Sequence, residues 1–197
     1  MAIDTPYAVE PQAVVDVLVE AFADDPVVCW LFPDPGERGR FQAMFYRFLL
    51  THPAAEAYLT DGGEGAAIWL TLGPDETLHD DQPGSGAVFG ERMRALSQAL
   101  DRRHPTGARH LYLPCVGVTG ERRGAGLGSA MLRRRLDRAD ADGLGTYLEA
   151  SSARSRALYL RHGFEDLGAP VQPAGGPPLW PMWRPPFPTS EERNTHD

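Results

Sequence analysis

Cysteine is scarce in this sequence: Cys29 and Cys115 are the only two in 197 residues. They stand far apart, with neither a CxxC spacing nor a neighbouring histidine pair. That argues against a disulfide framework and against a zinc cluster. A reducing cytoplasm is the setting expected. Long apolar runs are missing too, so no segment reads as a bilayer span. Residues 1–20 carry Asp4, Glu10 and Asp16 and lack a basic start ahead of an apolar stretch, so no export leader is expected. Positive charge is in deficit, with 19 Lys plus Arg against 27 Asp plus Glu and a formal net charge of −8. This balance argues against general affinity for nucleic acid or an anionic membrane and suits a cationic partner such as an amine. His79-Asp80-Asp81 has no second ligand cluster in sequence, and no metal site is expected.

What is present is ordinary for a globular chain, with 42% apolar and 23% charged residues. The length suffices for one domain with its own core. Apolar spacing predicts a helix over 12–24, with Val14, Leu18, Ala21 and Phe22 inward and Asp24-Asp25-Pro26 as its end. The stretch Cys29-Trp30-Leu31-Phe32 and a PDPG turn follow. A second helix is predicted over 37–52, with Phe41, Phe45, Phe48 and Leu49 inward. Residues 56–60 and 64–72 read as a hairpin around Asp61-Gly62-Gly63. A polar loop over 73–86 leads to a helix over 87–104, with Met93, Leu96 and Leu100 inward. Residues 109–118 make the strongest strand, and Pro114 marks a bulge or break in it. A helix over 126–141, a strand over 146–151 and a helix over 153–162 stopped by Gly163 come next. Residues 164–187 are rich in proline yet hold Leu179, Trp180, Met182, Trp183 and Phe187, which predicts an irregular hairpin packed on the body. Residues 188–197 read as a frayed tail. Residues 1–187 are therefore expected to form one mixed α/β domain, with helices covering a sheet.

The chemistry-bearing stretch is Val116 to Ser129, V-G-V-T-G-E-R-R-G-A-G-L-G-S, where a strand runs through a loop into a helix. Gly124, Gly126 and Gly128 alternate at the helix start, and missing side chains let backbone N–H groups approach a ligand. The first N–H groups of a helix have no internal partner and carry the positive end of its dipole, which makes an anion site suited to a diphosphate. Arg122 and Arg123 add charge beside it. A glycine-rich turn that only starts a helix is the plainer reading. A P-loop fails because no lysine is near. A dinucleotide fingerprint fails at Ser129, although Glu149 lies about where a ribose-binding acid would; only one further helix and strand follow. A nucleophile elbow GxSxG is absent near Ser85 and Ser129.

The run R-R-G-A-G-L-G-S-A resembles the Arg/Gln-x-x-Gly-x-Gly/Ala motif of the GNAT acetyltransferases, carried by Arg123, Gly126 and Gly128. The likeness continues through the strand Y-L-E-A-S and then R-A-L-Y-L-R-H-G-F, which resembles the family's Tyr-x-x-x-Gly-Phe signature on Tyr159, Gly163 and Phe164. It covers about residues 109–165. A looser likeness, to the puromycin N-acetyltransferase subfamily of actinobacteria, runs through A-F-A-D-D-P at 21–26, the strand near Trp69, L-E-A-S at 148–151 and W-x-M at 180–182. Ser155 departs from it, standing where that subfamily often has an asparagine that helps hold the cofactor.

The resemblance implies the acyl-CoA N-acyltransferase fold, a mixed, mostly antiparallel central sheet flanked by helices. It implies acetyl-CoA as cofactor. The contacts it implies are Val116, Gly117 and Val118 of the strand; Arg123, Gly124, Ala125, Gly126, Leu127, Gly128 and Ser129 of the loop and helix start; and Ser152 and Ser155 before the last helix. The pantetheine arm is expected to pair with backbone groups of Val116 and Val118, and the Val118 N–H to serve the oxyanion. In this chemistry an amine attacks a thioester, which calls for a base, an acid for the leaving thiolate and an oxyanion donor. Tyr159 is the candidate acid by resemblance; a core tyrosine is the alternative. Glu149 is the candidate base, through a water; a solvated strand-end carboxylate is the alternative. Asp25, Trp30, Phe32 and Trp69 are candidate acceptor contacts, acid and aromatic groups suiting an amine, with an ordinary core cluster as the alternative. Arg133, Arg134, Arg135 and Arg138 read as a solvated helix face. The expectation is acetyl transfer to a small-molecule amine by a monomer or homodimer. A protein or peptide amine acceptor, a non-catalytic acyl-CoA sensor and a nicotinamide-dinucleotide binder stay open.

Overall fold

The computed structural model describes residues 9–78 and 85–187, with 85–89 described in backbone only. His79-Asp80-Asp81 and residues 188–197 lie outside the described residues. Helix α1 spans Pro11–Ala21, α2 Pro26–Leu31 and α3 Pro35–Leu50. Strands β1 (Ala55–Leu59) and β2 (Gly65–Leu72) form the expected hairpin. Helix α4 (Ser85–Asp101) is broken at Gly90. Strand β3 (His110–Val118), a 3-10 turn at Gly120–Arg122, helix α5 (Leu127–Ala141), strand β4 (Thr146–Ala150) and helix α6 (Ala153–Leu160) follow. Strands β5 (Glu165–Asp166) and β6 (Trp180–Arg184) close the chain.

Two Asp-Pro pairs start helices. Asp25 Oδ1 accepts from the amides of Val27 and Val28 at 2.9 and 3.2 Å, and Asp34 caps α3 on the Gly36 amide at 2.9 Å. A short acidic side chain before a proline is the natural N-cap, since proline at the first helical position has no N–H to satisfy. The segment expected to close the first helix and turn away therefore opens α2 instead, and α1 stops at Ala21.

The six strands lie in the order β1-β2-β3-β4-β6-β5, and every neighbouring pair is antiparallel except β3–β4. This is the mixed, mostly antiparallel sheet that was expected. Strand β2 is covered on both faces, and its side chains sort by alternation. Ala66, Ile68, Leu70 and Leu72 meet α1 and α3, with Val14, Leu18, Tyr46 and Leu49. Ala67 and Trp69 join Leu132, Leu136 and Ala139 of α5 on the opposite face. Helix α3 turns Gln42, Tyr46 and Leu49 to the core. The expected Phe41, Phe45 and Phe48 are only partly buried, and Phe41 stacks on Phe32 at 5.4 Å between centroids. The β2–β3 register shifts between Ile68 and Leu70, opposite Leu113-Pro114, so the bulge expected at Pro114 is present. Proline has no N–H for the ladder, and a bulge accommodates it.

The arginines of α5 are less solvated than expected. Arg135 is 3% exposed and makes a two-pronged pair with Glu56 of β1 at 3.0 and 2.9 Å. Arg138 donates to the Tyr58 hydroxyl at 3.0 Å. Charge-assisted, two-pronged bonds of this kind tie a helix to a particular strand. No helix among the described residues is long and apolar enough to cross a membrane.

Helix α1 crosses β3 at Gly117. A Cβ there would lie 2.6 Å from Ala21 Cβ and 3.1 Å from the Phe22 ring. Neither a methyl group nor the backbone behind it can swing away. Gly117→Ala should therefore lower stability by about 1–3 kcal/mol, seen as a lower urea midpoint with an unchanged slope; an unshifted midpoint would show that α1 sits loosely.

Candidate active site

The site begins where two strands part. β3 and β4 pair only from Leu111↔Thr146 to Leu113↔Leu148. Beyond that point β3 stays paired with β2 as far as Val118↔Gly65, and β4 stays with β6 as far as Ala150↔Trp180. Among the described residues, one edge of β3 from the bulge to Val118 therefore has no strand beside it. The Thr119 amide donates to the Glu64 carbonyl at 2.8 Å, on the β2 side. By the alternation of strand backbone groups, the amides of Val118 and Val116 face the opposite, open edge.

At the end of this edge the loop turns into α5. Gly124 and Gly126 have φ of 88° and 83°, the left-handed region that glycine enters without a Cβ clash. The amides of Arg123 and Ala125 close small turns on the carbonyls of Gly120 and Arg122 at 3.4 and 3.2 Å. Among the described residues, those of Gly124, Gly126, Leu127, Gly128 and Ser129 have no protein acceptor. Unpaired amides at a helix start, with the dipole behind them, favour an anion. The flanking guanidinium groups are already engaged. Arg123 donates to the carbonyls of Ala21 and Val118 at 2.7 and 3.4 Å, and Arg122 pairs with Glu64 at 3.3 Å.

These groups line a cleft of about 410 Å³ running from the end of α1 to the start of α6. Val116, Gly117, Val118, Arg123, Gly124, Gly126, Leu127, Gly128, Ser129, Ser152, Ser155 and Tyr159 all line it. Ala125 does not, and its amide is engaged in the turn. Ser152 and Ser155 form a capping box for α6, each accepting the other's amide at 3.1 Å. The Tyr159 ring lies at 7% exposure against Phe164, and burial, with Cys115 and Asp25 nearby, pushes its phenol well above the usual value. Such a hydroxyl stays protonated at neutral pH.

Asp25 reaches the same cleft from the cap of α2. Its Oδ2 accepts from Ser151 Oγ at 2.6 Å, which joins the α1–α2 corner to the end of β4. Burial raises its pKa, against the lowering effect of Ser151 and the two capping amides. Ser151, Ala21, Phe22, Arg154 and Arg161 also line the cleft and were not among the candidate site contacts read from the sequence. For Ser151 the available signal was its place at the end of the Y-L-E-A-S strand.

Glu149 lies off the cleft lining, on the sheet face covered by α1 and α3. The Tyr112 hydroxyl donates to its Oε2 at 2.9 Å. The buried Tyr147 hydroxyl lies near enough to favour the charged carboxylate, yet makes no hydrogen bond of standard geometry. Burial wins over both, and the Glu149 pKa rises from 4.5 to about 7. The buried Cys115 feels both acids, its thiol pushed up by burial first and then by Asp25 and Glu149.

The remaining candidate contacts are elsewhere. Trp69 is 1% exposed in the core beneath α5. Phe32 is buried against Phe41. Trp30 packs with Val27, Leu96 and Leu179 and under Gly176. Among the described residues no group of three or more His, Cys, Asp or Glu side chains is placed to hold a metal ion.

Residues 66–164 match the model of the acetyltransferase (GNAT) family. A solved structure from Corynebacterium glutamicum, described as histone acetyltransferase HPA2 and related acetyltransferase, is 32% identical over 95% of this chain and 97% of that one, with a TM-score of 0.68. Arylalkylamine N-acetyltransferase 2 of Aedes aegypti shares the fold at 14% identity, covering 94% of this chain and 99% of that one, with a TM-score of 0.70. The ribosomal-protein-S18-alanine N-acetyltransferase of Escherichia coli shares it at 17% identity, covering 96% of each chain, with a TM-score of 0.57.

The raised pKa of Glu149 has a consequence for stability. Between pH 4.5 and about 7 the folded chain holds a proton that the unfolded chain has released. Stability must therefore fall as pH rises through that window. Urea midpoints of the wild type should lose ground to Glu149→Gln across it and run parallel above it. Parallel midpoints throughout would mean that this carboxyl titrates normally.

Proposed function

We propose, from the premise that this chain belongs to the acetyltransferase (GNAT) family and is an acyltransferase, that it moves the acetyl group of acetyl-CoA directly onto a primary amine of a small molecule. The observation that carries this reading is the row of unpaired amides at Gly124 and Gly126–Ser129, lying at the end of an unpaired strand edge. A diphosphate satisfies the first and an amide-containing arm the second. Acetyl-CoA supplies the activated thioester. Val116 and Val118 offer backbone groups to the pantetheine arm, and the Val118 amide is a donor for the developing oxyanion.

Tyr159, kept protonated by burial, donates its phenolic proton to the leaving sulfur. Glu149, poised near neutrality, takes a proton from the incoming ammonium through a water, since it lies off the cleft, and the freed amine attacks. The Cys115 thiol is held protonated and buried, which supports direct attack over an acyl-cysteine route. Asp25 is the acceptor-side contact: it lines the cleft, and exchanging its Ser151 partner for an ammonium keeps its oxygen satisfied.

A small cationic acceptor is supported by the chain's acidic balance and by Asp25, an acid that lines the cleft. The same fold carries arylalkylamine and protein N-acetyltransferases, so the amine is a matter for experiment. The likeness of residues 21–26 to puromycin acetyltransferases places an aminonucleoside in the panel.

Coenzyme A, and not NAD, is expected to raise the melting temperature. Thiol release with mass detection over a panel of small amines and peptide amines should then show turnover with a small amine. Binding without turnover on any amine would instead support a sensor. With an acceptor in hand, Tyr159→Phe should lower kcat by about 100-fold and leave KM for acetyl-CoA nearly unchanged. Glu149→Gln should erase the limb of the pH–rate profile near 7. An unaltered kcat, or an unaltered limb, places the acid or the base elsewhere.

A further inference from the structure

Behind the row of free amides lies a side-chain relay that the chemistry above does not use. Ser129 is the third residue of α5, and it lines the cleft with its amide unpaired. Its Oγ lies 2.6 Å from Nε2 of His162, just past the end of α6, and accepts from Arg133 Nη1 at 3.2 Å. Guanidinium has no acceptor, so that second bond runs only one way.

The hydroxyl therefore has two arrangements. With Nε2 bare, the one hydroxyl hydrogen of Ser129 points at the ring and away from the cleft. With a hydrogen on Nε2, as in the other neutral tautomer or in the doubly protonated ring, Nε2–H donates to Oγ, and the serine hydrogen is free to turn into the cleft; only the charged ring also attracts an anion. His162 sits half-buried among positive charges: Arg133 of α5, Arg161 beside it at the end of α6, and Arg184 of β6. Arg184 donates its Nε to the His162 carbonyl at 3.1 Å. The only acidic group in this set is Asp140 of α5, which Arg184 holds in a two-pronged pair at 2.7 and 2.6 Å. Burial and these three arginines lower the pKa of His162, which favours the neutral ring in the free protein. A doubly charged diphosphate at the start of α5 reverses that balance.

We propose that His162 is the positioning residue for this serine: as a coenzyme diphosphate docks, His162 takes up one proton and turns the Ser129 hydroxyl onto a phosphate oxygen. The proposal rests on the coenzyme reading above. The proton comes from solvent and forms one ring N–H bond, no bond between heavy atoms changes, and the filled Oγ then accepts from His162 and Arg133 while donating to the ligand. The bound ring has the higher pKa, so affinity is greatest at low pH and is lost as pH rises toward that bound value.

The test uses dephospho-coenzyme A, which keeps the diphosphate and lacks the phosphate monoester that titrates near neutrality. Titration calorimetry of the full chain at pH 7, in buffers of different ionisation enthalpy, should show uptake of roughly half to one proton per ligand bound. Kd should weaken with rising pH by at most about tenfold per unit. His162→Gln should bind about three- to tenfold more weakly, take up no proton and show a flat pH dependence. Wild-type binding without proton uptake overturns the proposal and leaves the coenzyme reading intact; that measurement needs no variant to fold. Uptake retained in His162→Gln overturns it as well. Failure of both dephospho-coenzyme A and coenzyme A to bind overturns the coenzyme reading, and this proposal with it.

Discussion

Everything about the site depends on the parting of β3 from β4 after Leu113 and Leu148. Each strand keeps its outer partner, so the sheet stays whole while one inner edge is left without a ladder. Unpaired backbone groups inside a fold are costly unless water or a ligand meets them. The surroundings hold this gap open. Pro114 supplies a bulge at its root. Gly117 lets the end of α1 press against one strand, and Tyr159 of α6 closes the other side. The Asp25–Ser151 bond spans the opening.

Charge is distributed in an uneven way around it. The arginines nearest the loop are largely engaged in holding the frame. Arg123 binds two carbonyls, Arg122 pairs with Glu64, Arg135 with Glu56, and Arg184 with Asp140. Beside Arg154 and Arg161 of the cleft lining, the attraction for an anion comes from backbone amides, whose direction is set by the helix and does not need an ordered side chain. Guanidinium groups work at one remove, by fixing the helices that aim those amides. That division explains how a chain with a net charge of −8 presents a cleft suited to phosphate.

Much of this was legible along the chain. The strand–loop–helix with alternating glycines, the Tyr-x-x-x-Gly-Phe segment and the bulge at Pro114 are local features, and the fold has them within a residue or two of where the sequence puts them. Other readings failed where distant groups compete. Asp25-Pro26 looked like a helix end because the preceding apolar pattern stops there, yet the capping geometry makes it a beginning. Trp69 was a candidate acceptor contact as an aromatic group suiting an amine; alternation along β2 turns it under α5. Arg135 looked solvated by its company of three other arginines, and only β1 could show the Glu56 waiting across 79 residues.

The amino-acid order alone determined which segment has bare amides and where its helix begins, because glycine content and helix-start geometry act over a few neighbouring residues. It also determined the order of the longer strands and helices, all but α2 and the short β5, since apolar period is a local property. Tertiary structure decided which carboxylate faces the cleft and which lies behind it, and it brought Ser129 to His162 and Asp25 to Ser151. Those pairings depend on how strands splay and helices cross. Burial and the field of surrounding charges, which set the pKa of Glu149 and of His162, arise only once the chain has closed on itself.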